Sequence, residues 1–334
     1  MKHLKGIILL LFACILVMAG CSNTTSKSEG KNKQGESSGS KKLHIVTTFY
    51  PMYEFTKNIV NGEAQVDLLI PSTVEPHDWD PSPKDVANMQ QADLFVYNSP
   101  SMETWVPSVE KSMGDKHPQM VIASEGIDLM EGTPHDHGDH GDEEDHDHED
   151  HKGEEDHDHG GLDPHVWLSP VLVQKEVKNI TKAIIKQDPK NEEVYKKNSQ
   201  KYIEQLQKLD QKYSKTLKDV PNKELITQHA AFGYLAKEYG LEQVPIAGLS
   251  PEQEPSPAKL AELKKFAKQH DVNTIFFEEL ASPKVAETLA EEIGAKTEIL
   301  HTLEGLSKEE QDKGMDYIKV MEENLSILKN ALQK

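Results

Sequence analysis

The chain contains no arginine: all 37 of its basic residues are lysine, set against 57 acids. A formal net charge of −20 leaves no basic surface of the kind nucleic acid requires. Only two cysteines occur, Cys14 and Cys21. Cys14 falls in a segment expected to be removed and Cys21 at a position expected to be lipidated. The mature chain therefore offers neither a disulfide nor a cysteine-type zinc site. No P-loop, dinucleotide fingerprint or HExxH motif is present, so recognised signatures of ATP hydrolysis and of zinc peptidases are missing. Long hydrophobic runs are scarce as well. The one candidate, Ile7 to Ala19, is too short for a comfortable membrane span, and without a second the chain forms no channel alone.

What that run does resemble is an export signal. Lys2 and Lys5 precede it, and it ends Val17-Met18-Ala19-Gly20-Cys21. A cysteine directly after Ala-Gly resembles a bacterial lipoprotein signal, cleaved before Cys21 and acylated on it. Residues 1–20 are then the signal peptide, and acyl chains hold the protein on the extracytoplasmic face of the cell membrane. Residues 21–42, rich in Ser, Gly, Lys and Asn, read as a flexible tether.

The strangest composition lies between residues 131 and 161. Eight of the sixteen histidines sit there: His135, His137, His140, His146, His148, His151, His157 and His159. Glu131 to Gly160 also holds fourteen acids and one lysine, which supplies −13 of the net charge. With nothing apolar to bury, the segment is expected to be a disordered loop. Imidazole is the commonest protein ligand for Zn²⁺-like ions, so a low-affinity, fast-exchanging metal loop is the functional reading. A solvated acidic spacer is the bland one, and it does not account for the histidines.

The rest alternates strands and helices, which implies α/β architecture with parallel sheets. LHIVTTF, QVDLLIP, DLFVYNS and QMVIAS read as strands of an N-terminal lobe, residues 43–190. ELITQ, QVPIAG, TIFFEEL and AKTEILHTL read as strands of a C-terminal lobe, residues 220–334, with helices near Ser256–His270 and Pro283–Ile293. Between the lobes, residues 191–219 place Tyr195, Tyr202, Ile203, Leu206, Leu209, Tyr213 and Leu217 at helical offsets. One connecting helix of about 40 Å is expected.

Three histidines lie just past strands, where open α/β sheets bind ligands. They are His77 in EPHDWDPSP, His165 in DPHVWLSP and His229 in TQHAAFGYLAKEYGL, the last at the expected start of a helix. Proline stiffens the first two loops, which suits a high-affinity site. His44, His117, His270 and His301 read as structural or exposed. Trp79, Trp105 and Trp167 read as packing residues.

These motifs, with the lipoprotein signal and the acidic His-rich insert, resemble the metal-binding subunits of bacterial zinc-uptake ABC transporters, the ZnuA/AdcA type, over essentially the whole chain. The resemblance implies two α/β lobes bridged by one long helix, with the metal in the cleft. It implies His77 and His165 from the first lobe and His229 from the second as ligands, with a carboxylate after the last strand as the fourth. In EILHTLEGLS that position is Glu304. His301 competes by residue type, but a strand over Thr297–Thr302 puts it on the strand, whereas the cleft lies beyond strand ends; Glu278 and Glu279, at the end of the preceding strand, are the weaker alternatives. Manganese-specific relatives carry a carboxylate in place of His229, so the donor set suits Zn²⁺. Glu75, Asp80 and Asp163 are candidates to orient the imidazoles.

The function so implied is capture of zinc and delivery to a membrane permease served by a separate ATPase, with the carrier a monomer and not an enzyme. Two other classes remain. One is a surface adhesin or a passive zinc buffer, and a buffer needs the loop but no rigid cleft. A zinc hydrolase needs an open metal position, with Glu304, Glu278 or Glu279 as base.

Overall fold

The computed structural model describes residues 42–132, 161–251 and 255–333. The signal, Cys21 and the eight loop histidines lie outside the described residues. Two four-stranded sheets, each wholly parallel, organise the chain. In the first, β1 (His44–Thr47), β2 (Gln65–Leu68), β3 (Leu94–Tyr97) and β4 (Gln119–Ile122) lie in the order β2-β1-β3-β4. In the second, β5 (Glu224–Thr227), β6 (Glu242–Pro245), β7 (Thr274–Phe277) and β8 (Lys296–Ile299) repeat that order as β6-β5-β7-β8. Strand β3, LFVY, is buried at every position, as an inner strand covered by helices on both faces must be.

Helices α1 (Tyr50–Val60), α2 (Pro83–Met89), α3 (Val106–Met113) and α4 (Pro170–Gln187) belong to the first lobe. Local chemistry sets their starts. Ser82 and Asp85 form a reciprocal capping box on α2, with Pro83 at its first position. The Ser169 hydroxyl accepts from Leu172 N–H ahead of α4, again with proline next. The connecting helix α5 runs Glu192–Leu217, 26 residues and so about 39 Å. Its seven expected apolar positions are all buried. Helices α6 (Gly233–Tyr239), α7 (Pro257–Gln269), α8 (Lys284–Ile293), α9 (Lys308–Asp312) and α10 (Tyr317–Leu332) complete the chain.

Three features depart from the sequence expectation. Helix α6 begins four residues after His229 and not beside it, because the Thr227 hydroxyl donates to the His229 carbonyl and Ala230 N–H to Gly248, holding the intervening turn open. Strand β8 stops at Ile299, since its partner β7 ends at Phe277 and the ladder closes with Leu300 N–H on the Phe277 carbonyl. His301 is therefore beyond the strand. Finally, α10 does not stay with the second lobe. The Tyr317 ring meets Phe55 edge-on at 5.2 Å, its hydroxyl donates to the Trp167 carbonyl, and α10 packs along α5. One continuous apolar core thus runs from Ile45 to Leu332. Among the described residues no helix is long and apolar enough to cross a membrane.

Candidate metal centre

The four residues read as a ligand set come together. His77 follows β2, His165 follows β4 after the acidic segment, His229 follows β5, and Glu304 follows β8. Nε2 of His165 lies 3.1 Å from Nε2 of His77 and 3.3 Å from that of His229. One oxygen of Glu304, Oε1, lies 3.5, 3.6 and 3.5 Å from Nε2 of His77, His165 and His229. A tetrahedron with zinc–ligand bonds of about 2.0–2.1 Å has edges of about 3.3–3.4 Å. Five donor spacings in the cluster match that cage. His165, His229 and Glu304 are buried, and His77 is nearly so.

The buried carboxylate makes the strongest case for a cation. Neither oxygen of Glu304 has a hydrogen-bond partner among the described residues, and both are buried. An unsatisfied buried carboxylate facing three imidazole nitrogens is costly unless something positive sits between them. Burial opposes ionisation of Glu304, but the three imidazoles outweigh it and hold the carboxyl well below its usual range.

Two acids fix the rings. Asp163 Oδ1 lies 2.8 Å from Nδ1 of His165 and also accepts the His165 backbone N–H at 2.9 Å. Glu278 Oε1 lies 2.8 Å from Nδ1 of His229. A carboxylate on Nδ1 selects the tautomer whose Nε2 lone pair points at the cluster. Burial lowers the His165 pKa, yet Asp163 and Glu304 outweigh it and raise the group. Burial likewise opposes charge on His229, and Glu278 overcomes it, pushing the ring well above 6.5. For His77 burial wins and the pKa falls.

Of the three expected orienting acids, Asp163 alone touches a ring. Glu75 Oε1 accepts the His77 backbone N–H at 3.0 Å, so it shapes the loop and not the imidazole. Burial, reinforced by the charge of Glu304, pushes the Glu75 carboxyl up to about 9. Asp80 is exposed. Glu278, the partner of His229, was missed in that role. Its sequence signal is weak but real: it is an acid immediately after a strand whose C-terminal end faces the cleft.

The loop bearing Glu304 is built under strain. Leu303, buried, takes φ +59°, a left-handed conformation unfavourable for a side chain of its kind. Its N–H donates to Nδ1 of His301 at 2.9 Å, and the Trp167 indole donates to the Thr302 carbonyl at 2.9 Å. At Gly305 any Cβ would overlap the Ser72 carbonyl of the loop after β2. Only glycine lets the two lobes approach there. His301 is thus a scaffold of the Glu304 turn and takes no part in the cluster. The other ordered histidines are also elsewhere: His44 pairs with Asp67, His270 with Glu224, and His117 bonds the Pro118 carbonyl.

Several known proteins are close to this chain in sequence. The chain is 64% identical over 320 residues, 96% of its length and 95% of the relative's, to the high-affinity zinc uptake system protein ZnuA of Bacillus subtilis. It is 46% identical to the zinc-binding lipoprotein AdcA of Streptococcus pneumoniae, matching 98% of this chain but spanning only 61% of AdcA. The crystal structure of the Zn(II)-bound ZnuA-like domain of that AdcA superimposes with a TM-score of 0.72 at 43% identity, covering 88% of this chain and all of that one. The laminin-binding protein Lmb of Streptococcus agalactiae, described as bifunctional with adhesin and metal transporting activity, superimposes at 0.74 with 33% identity, covering 87% and 99%. The family model for the periplasmic zinc-uptake complex component A matches residues 45–331, and the chain belongs to that family, ZnuA.

Proposed function

We propose that this chain captures Zn²⁺ outside the cytoplasm and hands it to the permease of a zinc-uptake ABC transporter whose ATPase is a separate protein. His77, His165, His229 and Glu304 hold the ion. The observation that supports this reading is the cage itself: four donors from both lobes at zinc spacing, around an otherwise unsatisfied carboxylate. Three neutral imidazoles and one carboxylate leave about +1 on the bound ion, and Asp163 and Glu278 add compensating charge nearby. Four protein donors close the coordination shell, whereas catalytic zinc keeps a position for water. That closure favours a carrier over a hydrolase. Release then requires the lobes or the Glu304 turn to move, because each lobe supplies ligands.

The export signal and Cys21 support a lipid anchor at the outer face of the membrane, a reading that the intact mass of the membrane-extracted chain tests. The His-rich segment is proposed to collect zinc loosely near the cleft.

Deleting residues 131–160 separates carrier from passive buffer. Calorimetric titration of the soluble chain is expected to lose several weak zinc equivalents and to keep one tight one, because preformed ligands avoid the ordering cost of flexible ones. Loss of the tight equivalent with the segment would leave only a buffer.

The cluster also sets a pH dependence. Because His229 titrates well above 6.5 in the metal-free protein, it holds a proton near neutrality that zinc must displace. Its raised pKa favours the protonated folded state at low pH, so zinc competes better as pH rises toward that pKa. Below the pKa of His229 apparent affinity should increase with pH by up to about tenfold per pH unit for each proton displaced, and level off above it. Titrations in buffers of different ionisation enthalpy count that proton. A flat affinity profile with no proton release contradicts this account.

A further inference from the structure

Tyr234, on α6 of the second lobe, is buried, and its hydroxyl makes two bonds to the first lobe. It accepts the Met130 N–H at 2.8 Å and donates to the Asp163 carbonyl at 2.7 Å. Met130 and Asp163 also bond to each other, Asp163 N–H to the Met130 carbonyl at 2.8 Å. Beside them Glu131 and Leu162 form an antiparallel bridge. The two chain segments flanking residues 133–160 are therefore clasped together, and one phenol from across the cleft pins the clasp.

The residue before Tyr234 completes the seat. A Cβ at Gly233 would stand 2.9 Å from Asp163 Oδ2 and 3.0 Å from the Met130 methyl. The Asp163 carboxylate thus lies directly over the Gly233 backbone. Its other oxygen holds both Nδ1 and the backbone N–H of His165. Seen from His165, the direction of the imidazole is fixed by Asp163, and the place of Asp163 is fixed by two residues of the opposite lobe.

We infer that Tyr234, with Gly233, is a positioning residue for zinc: acting through Asp163, it makes the orientation of His165 depend on contact between the lobes. When the lobes part, Asp163 loses the phenol donor and the Gly233 seat together. The first-lobe ligand then loosens at the moment the second lobe withdraws His229 and Glu304. Opening and weakening of the remaining half-site become one event. This inference rests on His165 being a zinc ligand.

The test compares Tyr234→Phe, His165→Ala and Tyr213→Phe in the full soluble chain. Tyr213 is a suitable control because its buried hydroxyl donates to the Met321 carbonyl, outside the cluster. Zinc affinity and dissociation rate are measured by chelator competition, the ligand field by Co²⁺ absorption, and folding by the melting temperature without metal. Tyr234→Phe should weaken zinc about tenfold, at the low end of what losing a partner of a metal ligand costs. It should speed dissociation and shift the Co²⁺ bands, while Tyr213→Phe lowers the melting temperature comparably and leaves affinity and bands as they were. Unchanged affinity and spectrum in Tyr234→Phe, where His165→Ala abolishes tight binding, overturns the inference alone. So does an equal affinity loss in Tyr213→Phe. Tight binding retained in His165→Ala overturns the ligand assignment and the inference with it.

Discussion

Replacing His165 with alanine is expected to weaken zinc binding by more than ~100-fold, beyond the ~10–100-fold typical of residues that only orient a ligand. The reason is its central place. His165 is the imidazole within 3.3 Å of both others, and it is fully buried. His165→Ala removes one of four donors and strands the Asp163 carboxylate, itself only 3% exposed, without the ring that it charges against. Glu304→Ala should cost less, because a water oxygen can occupy the position of a lost carboxylate oxygen more readily than that of a lost imidazole nitrogen. Competition against a chelating indicator gives both affinities. A loss within tenfold for His165→Ala, or a larger loss for Glu304→Ala than for any of the three histidines, would remove His165 from the centre of the site.

Replacing Glu176 with methionine should stabilise the protein, and increasingly so at alkaline pH. Glu176 lies on α4 with no exposed surface, and neither carboxyl oxygen has a hydrogen-bond partner among the described residues. Burial, with a smaller push from Glu103, raises its pKa to about 8. The sign follows from linkage. A carboxyl whose folded pKa exceeds its unfolded pKa of 4.5 stays protonated when folded but ionises when unfolded. Its cost is absent below pH ~4.5 and grows to about 3 kcal/mol by pH 7, levelling near pH 8. Methionine has similar volume and no charge to bury. At roughly 2–4 °C per kcal/mol for a chain of this size, Glu176→Met should raise the midpoint by ~5–10 °C at pH 7–8 and by little at pH 4–5. A gain independent of pH would show that buried ionisation is not the cause.

Most of the architecture could be read from the chain because buried parallel strands are short apolar runs punctuated by helices with proline and serine starts. The long helix was legible from seven apolar residues at helical spacing, all of which are buried. The three histidines were legible because stiff loops after strands leave few other roles. What the sequence withheld is side-chain direction. Glu278 and Glu279 are adjacent acids, and only the exit angle of β7 sends the first to His229 and the second to His301 and Thr302. Tyr234 looks like any apolar position of an amphipathic helix, and its hydroxyl acquires a role only when Asp163, 71 residues away, comes within 2.7 Å. His301 looked like a strand residue because β-forming composition continues past the point where β7 stops offering partners.

The return of α10 to the first lobe also fixes the order in which the molecule can be finished. The contacts of Tyr317 with the Phe55 ring and the Trp167 carbonyl close only when residue 317 is present, although Phe55 is encoded 262 positions earlier. Single-lobe proteins can condense from the N-terminus while synthesis continues. Here the core that the first lobe shares with α10 is complete only once the C-terminal helix is present. For a chain exported as proposed here, late completion of that core is useful: it stays loose enough to pass the membrane and locks after its tail arrives.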